Sequence, residues 1–520
     1  MKSKTLTTID NGTVYRGCTF YVKTGIENVS NCTFENCSFR GLGVSVTMID
    51  SCQFINCNFV MLRIRDVKKV KFSNCYIETL SIQETKMFSL PAWVDDFSFL
   101  EGISHVDNLS LYHTNIQQGS LKYLKGLGLK HLYLHCPEGD SLGFSDLCKC
   151  PTLETLSIDG SYDAYLPAEE SILLANLPNL QELNLINIEI EEVMHFEGLL
   201  GLRKLNLSES GIDGQVLSAI KNLVNLKALD ISNNDVGDED LQCLQSLINL
   251  EILNLNETNL SHQGLQFIKN LKKLKELSIA ISDLRGNFLE QLTNLTNLEK
   301  IDIEETKIDD VNIFKKFTKL KAINLNYINL DSKQLSTIGS IETLEELELD
   351  NTKLDSSQLS HLRNLRNLRT LSLSKLKVTD ELSILKNFSH LVNLNVANTN
   401  INNKHLAIIK QLSHLRILSL TETKIDNDGL VHLKNLTELV ELSLVSTKIT
   451  DEGLIHLQDL EKLKELHLNY TKVTGSGLMS LNNVKQLEVL GITRTRINSN
   501  DEECIYRLPN MRHCYFVPIR

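Results

Sequence analysis

No run of this 520-residue sequence approaches the roughly 20 apolar residues that a membrane-spanning helix needs. The opening stretch MKSKTLTTIDNGTVYRG lacks the apolar segment of a secretory signal, so cleavable export is not expected. Catalytic signatures are missing as well: there is no G-x-x-x-x-G-K-(S/T), no H-E-x-x-H and no G-x-S-x-G. No nucleophile is paired with a base, so the chain reads as a non-enzyme with no catalytic residues and no cofactor.

What the sequence has in abundance is repetition. Taking the first Leu of each Leu-x-x-Leu-x-Leu unit as position 1, Leu391, Leu415, Leu439, Leu463 and Leu487 follow one another at 24 residues. The next step lands on Met511, where MRHCYF places Cys514 and Phe516 at the apolar positions of a last, atypical unit. Running backwards, the anchors are Leu368, Leu344, Leu320, Leu298, Leu274, Leu250, Leu226, Leu202, Leu180, Leu153, Leu129, Val106 and Ile77, nineteen units in all. The x-x-Leu-x-Leu segment alternates with period two and predicts a short strand with leucines inward. In TDEGLIHLQDL, Leu454, Leu457 and Leu460 suit a short helix or helical turn. Gly429, Gly453 and Gly477 suit the turn between strand and helix.

Over residues 77–520 the chain resembles the leucine-rich repeat family, of the bacterial 24-residue type. Many units carry Thr where the best-known repeats carry Asn or Cys, as at Thr423, Thr447, Thr471 and Thr495. A Thr hydroxyl satisfies loop backbone groups less fully than an Asn amide. The resemblance implies an α/β solenoid: a parallel concave sheet, short helices on the convex side, and a terminal cap near 499–520. No unit can bury its leucines alone, so stacking is obligatory.

Residues 1–76 follow another rhythm. NCTFENCSF and SCQFINCNF place Cys32 and Phe34, Cys37 and Phe39, Cys52 and Phe54, and Cys57 and Phe59 as Cys-x-Phe pairs. Cys18, Cys37, Cys57 and Cys75 recur at close to four fives, which resembles pentapeptide-repeat sequence wound as a small β-helix and interrupted by RGLGVSVTMID. Such a segment would cap the first leucine-rich strand. No Pro-, Gly- or Ser-rich linker separates it from Ile77.

Seven of the twelve cysteines, at 18, 32, 37, 52, 57, 75 and 514, fall where the repeat wants a small buried apolar group. A reducing compartment follows more simply than disulfides. Cys148 and Cys150 form a C-x-C that is weak as a metal signal, and no metal ligand is assigned. Acid clusters such as DVGDED read as solvated turns.

The outward positions 3, 5, 7 and 8 of the nineteen units hold sixteen Asp or Glu against four Lys or Arg, whereas the whole chain has 65 and 53. The densest acids are Asp302, Glu304 and Glu305, then Glu346, Glu348 and Asp350, flanking Tyr327. A basic protein partner would be drawn to such a face. A second candidate contact combines Tyr112 and His113 with His131, Tyr133 and His135, beside a long loop carrying Tyr162 and Tyr165. A smaller version comprises His467, Tyr470, Arg494, His513 and Tyr515. The basic run Arg63, Arg65, Lys68, Lys69 and Lys71 reads as a solvated coil edge, and no nucleic-acid partner is expected.

These features predict a non-enzymatic protein-binding scaffold working through the concave face. It would act in the cytoplasm or, as the resemblance to bacterial effectors implies, in a host cell it enters without a cleavable signal peptide. Two alternatives remain open: the substrate-recruiting subunit of a ubiquitin ligase, and an enzyme or metal site at the His/Tyr strand 131–135.

Overall fold

The computed structural model describes the chain except residues 1–3, 7–8, 10, 22–25, 28–29, 41–43, 48–51, 66–70, 84–97, 113–118, 136–143, 161–163, 191–194, 197, 379–381, 499–500, 502–503, 505–507, 509–512 and 516–520. The chain divides into two compact units, Met1–Leu274 and Lys275–Arg520. Among the described residues no helix is long and apolar enough to cross a membrane.

The first unit opens with coils of short parallel strands. One face stacks Val14–Arg16, Thr33–Glu35, Gln53–Ile55 and Lys71–Ser73 in register. Another stacks Lys4–Leu6, Cys18–Tyr21, Ser38–Arg40 and Asn58–Arg65. Between the faces run two columns of rings: Tyr15, Phe34, Phe54 and Phe72 at 5.3, 4.8 and 5.3 Å, and Phe20, Phe39 and Phe59 at 4.8 and 4.5 Å. The columns meet edge to face, the preferred geometry for aromatic pairs. Cys18, Cys32, Cys37, Cys52, Cys57 and Cys75 are all buried thiols, as their spacing predicts.

The corner residues explain the Asn-Cys pairs. Asn31, Asn36, Asn56 and Asn74, each just before a core Cys, have φ between 51° and 57°. Asn tolerates this left-handed conformation better than most residues. The Asn74 amide donates to Asn56 at 2.9 Å and that of Asn56 to Asn36 at 3.3 Å, so the corners are tied coil to coil. The stretch expected to interrupt the coil supplies a strand of its own: Val44–Thr47 pairs with residues 62–65 and with Ile26–Glu27.

The strand Cys75–Gln83 pairs with Asn58–Arg65 on one side and Ile103–Tyr112 on the other, with a register shift between Cys75 and Tyr76. Parallel pairing then continues through His131–His135, Thr155–Asp159, Glu182–Ile186, Lys204–Asn206, Ala228–Asp230 and Ile252–Asn254. In the second unit the ladder from Glu276–Ser278 to His513–Tyr515 is built of three-residue strands, positions 3 to 5 of each repeat. The strands from Glu276–Ser278 to Glu465–His467 lead to short helical segments, such as Asp451–Leu454 and Ile455–Leu457. The leucines at positions 1, 4 and 6 are buried, for example Leu439, Leu442 and Leu444 at 0% exposure. Each such side chain contributes about 2 kcal/mol of burial.

Two expectations need correction. Position 8 does not belong to the strand: Glu305, Tyr327, Asn351, Lys375, Glu422, Ser446, Tyr470 and Arg494 all lie at φ of 53° to 61°, where the chain turns out of the sheet. The glycines at 429, 453 and 477 lie within helical segments and do not make the strand-to-helix turn. They are buried, and a Cβ at Gly453 would come within 2.7 Å of Asn427 Oδ1 and 3.1 Å of Leu430 in the preceding repeat. Glycine is there for close packing between repeats.

Candidate functional site

In the first unit the parallel register places outward residues in rows. Asn108, His131, Thr155, Glu182 and Lys204 form one row, and Ser110, Tyr133, Ser157, Asn184 and Asn206 the next. Tyr112 lies opposite His135, and their rings stack at 4.2 Å with planes 9° apart. His131 Nδ1 is 3.0 Å from Thr155 Oγ1. Tyr133 is half-buried, and burial followed by the charge of Glu182 pushes its hydroxyl pKa upward. Tyr112, His131, Tyr133 and His135 are thus brought together. His113 and Tyr162 lie outside the described residues. Tyr165 is 45% exposed on the two-residue strand Tyr165–Leu166, which pairs with Glu189–Ile190.

In the second unit the acidic residues fall into two classes. Asp302 Oδ1 accepts the Glu304 backbone N–H at 3.1 Å, and Asp350 Oδ1 accepts the Ser374 N–H at 2.6 Å. These two carboxylates hold the turn backbone. Glu304 and Glu348 accept from the amides of Asn324 and Asn326 at 3.0 and 2.9 Å. Burial, reinforced by the neighbouring charges of Asp350 and Asp302, raises the pKa of Glu348 despite the Asn326 bond. Glu305 and Glu346 are exposed. Tyr327 is 42% exposed, with the Lys375 ammonium 5.5 Å from its ring centre.

Other sequence candidates resolve differently. Cys150 is buried and its thiol is pushed up to about 11, first by burial and then by Cys148 and Asp146, which disfavours the thiolate a metal would need. The acids of DVGDED hold neighbouring turns: Asp238 accepts the Ser261 N–H at 2.8 Å and Asp240 the Gly237 N–H at 2.8 Å. Of the basic run, Lys71 is exposed, Lys68 and Lys69 lie outside the described residues, and Arg63 and Arg65 fall within a strand. At the C-terminal end Arg494 lies over the Tyr470 ring at 5.6 Å, and Tyr515 is 60% exposed.

Position 9 decides what kind of repeat this is. Thr258, Thr306, Thr352, Thr399, Thr423, Thr447, Thr471 and Thr495 are buried, and each hydroxyl donates to the carbonyl three residues earlier at 2.6 to 2.9 Å. Asn234, at the same position, also reaches into the preceding repeat, donating to Leu207 O and accepting from the N–H groups of Ser210 and Ile212. Leucines inward at 1, 4 and 6, a parallel strand over 3 to 5 and a buried loop-binding residue at 9 define the unit. The chain folds as leucine-rich repeats.

Several solved leucine-rich repeat structures are similar to it. An internalin from Listeria monocytogenes is 25% identical over 68% of this chain and 89% of its own, with a TM-score of 0.41. A leucine-rich repeat protein from Leptospira interrogans is 19% identical over 82% of this chain and 100% of its own, at 0.46. The ectodomain of the Arabidopsis thaliana receptor kinase GASSHO1/SCHENGEN3, solved with CASPARIAN STRIP INTEGRITY FACTOR 2, is 16% identical over 97% of this chain and 79% of its own, at 0.40. No family profile matches the chain, and no curated protein does.

One group, at the junction of the N-terminal coils and the first leucine-rich repeats, was missed by sequence reasoning. Tyr76 stacks on His105 at 4.8 Å and its hydroxyl donates to Asp107 Oδ2 at 3.2 Å. His105 Nε2 and Lys130 Nζ lie 3.3 and 3.1 Å from Asp107 Oδ1. Burial alone would raise the pKa of Asp107, but Lys130 and His105 outweigh it and lower it. These residues sit at or next to an anchor, outside positions 3, 5, 7 and 8, so a scan of those positions passes over them.

Proposed function

We propose that this chain is a non-enzymatic scaffold that binds a protein with a basic surface through the outward faces of its parallel strands. The observation that carries the reading is the exposure of Glu305, Tyr327 and Glu346, in a stretch where Asp302, Glu304, Glu348 and Asp350 add negative potential. The stacked Tyr112 and His135 with His131, Tyr133 and Tyr165 supply an aromatic contact in the first unit.

The six buried core thiols suit a reducing cytoplasm, that of the producing cell or of a host cell into which an effector is delivered. The test is affinity capture from producing-cell and host lysates with the parent protein and two variants, Glu305→Gln with Glu346→Gln, and Tyr133→Ala with His135→Ala. A partner enriched by the parent and depleted by either variant supports the reading. Identical capture by all three, or none by the parent, overturns it.

A further inference from the structure

Along the outward face of the second unit, acids on neighbouring strands are kept apart. Asp302 and Glu348 lie on either side of Asn324, and Lys300 and Ala322 separate Glu276 from Glu346. In the first unit Asp230 lies between Asn206 and Asn254, and the Asn254 amide donates to it at 3.0 Å. Glu441 and Glu465 break this pattern. They are directly paired in register on neighbouring strands. Like charges so placed repel. Neither has a lysine or arginine partner among the described residues; the imidazole of His467 lies close by, its Nε2 3.9 Å from Glu465 Oε2.

His467 is two residues beyond Glu465 on the same strand and so shares its face. Gly491, opposite it in the next strand, makes room for the ring: a Cβ there would come within 2.9 Å of His467 Nδ1. One ligand atom from each of Glu441, Glu465 and His467 lies within 4.8 Å of the other two, and all three residues are partly buried. Tetrahedral zinc with ligands at about 2.0 to 2.2 Å needs ligand atoms roughly 3.5 Å apart, which small side-chain rotations would supply.

We propose that Glu441, Glu465 and His467 form a binding site for a divalent transition-metal ion of the zinc class. The cation removes the repulsion between the carboxylates. The imidazole nitrogen favours zinc or its neighbours over calcium or magnesium, which prefer oxygen. Three protein ligands leave one position open, facing solvent on the strand face, for water or for a donor group on a bound molecule. This site is independent of the acidic face at 302–350.

Cobalt(II) titration of the full chain, followed by visible absorption, tests the proposal. Nitrogen and oxygen ligands give weak bands in the visible, whereas any of the twelve cysteines would announce itself by strong near-ultraviolet charge transfer. The expected result is one equivalent bound with visible bands only, weakened at least tenfold by His467→Ala and by Glu441→Gln with Glu465→Gln. Zinc should raise the Tm of the parent and not of the variants, because a ligand that binds only the folded state stabilises it. Circular dichroism without metal keeps the variants comparable, and Glu465→Gln alone serves if His467→Ala misfolds. Parent and variants binding cobalt alike, or a parent with no visible band at saturating cobalt, overturns the proposal.

Discussion

The strands at 131–135 and 346–348 bury their leucines alike, yet their outward faces have opposite chemistry. On the first, rings are the dominant groups, and Tyr112 and His135 support each other by stacking at 4.2 Å. On the second, carboxylates dominate, and asparagines placed between them make the crowding tolerable. Asn326 shows how: its amide donates to Glu348 while its carbonyl accepts the Asp350 N–H at 2.7 Å. The comparison teaches that the inward rows fix the backbone and leave the outward rows free to diverge. Its weakest premise is that the inward rows are equivalent in every repeat, and position 9 is where that premise can be broken.

Asn234 spans two repeats, whereas Thr447 serves only its own turn through Leu444 O. Asn234→Thr should leave the buried Leu207 carbonyl and the Ser210 and Ile212 N–H groups without partners, at a cost of roughly 3 kcal/mol. Thr447→Ala should cost about 1 kcal/mol. Urea unfolding of both variants measures the difference. Equal costs would mean that the bonds between repeats add nothing to those within them.

For the outward rows, Tyr133→Ala with His135→Ala should weaken binding of an identified partner by about 2 kcal/mol if these are hot spots. Thermal stability should hardly move, because both side chains point away from the leucines. Unchanged affinity would transfer the anchor to the strands near Tyr327. Glu305→Gln with Glu346→Gln should slow association at low salt and flatten its salt dependence, since exposed charges are screened within about 8 Å at physiological ionic strength. Stopped-flow association at several salt concentrations decides this, and unchanged rates would reduce the acid to a solubility feature.

Much of this was legible in the sequence because a period repeated many times is hard to mistake. Leucine spacing gave the strands and the buried rows, and the Cys-x-Phe pairs gave the ring columns. Besides the glycines and the Tyr76 group, two matters escaped it, each for a physical reason. The left-handed turn at position 8 accepts Glu, Tyr, Lys, Ser and Ile as well as Asn, so no residue type marks it. Which acids are available to a partner depends on hydrogen bonds between repeats: Asp302 and Asp350 look equivalent to Glu346 along the chain, but their oxygens are occupied by backbone N–H groups. The turn itself can be tested. Ile281→Asn replaces a β-branched residue at φ 51° with one that tolerates it, and should raise stability by about 1 kcal/mol. A loss of stability would show that exposed Ile281 packs to more advantage than its backbone strain costs.

The smallest effect concerns Glu348, where the two halves of the comparison meet: a charge on the outward face that is partly buried. Its pKa is raised in the folded chain, chiefly by burial and then by Asp350 and Asp302. Ionised Glu348 therefore costs stability above its folded pKa, and the cost fades as pH falls through that value toward the ordinary glutamate range near 4.5, where the unfolded chain also takes up the proton. Glu348→Gln keeps an oxygen for the Asn326 amide and cannot ionise. Its Tm should exceed that of the parent at pH 7 and converge with it as pH approaches 4.5, in thermal melts at matched ionic strength. A gain of the same size at both pH values would assign the effect to packing. A lower Tm at pH 7 would show that the charged hydrogen bond to Asn326 outweighs burial and the repulsion of Asp350 and Asp302.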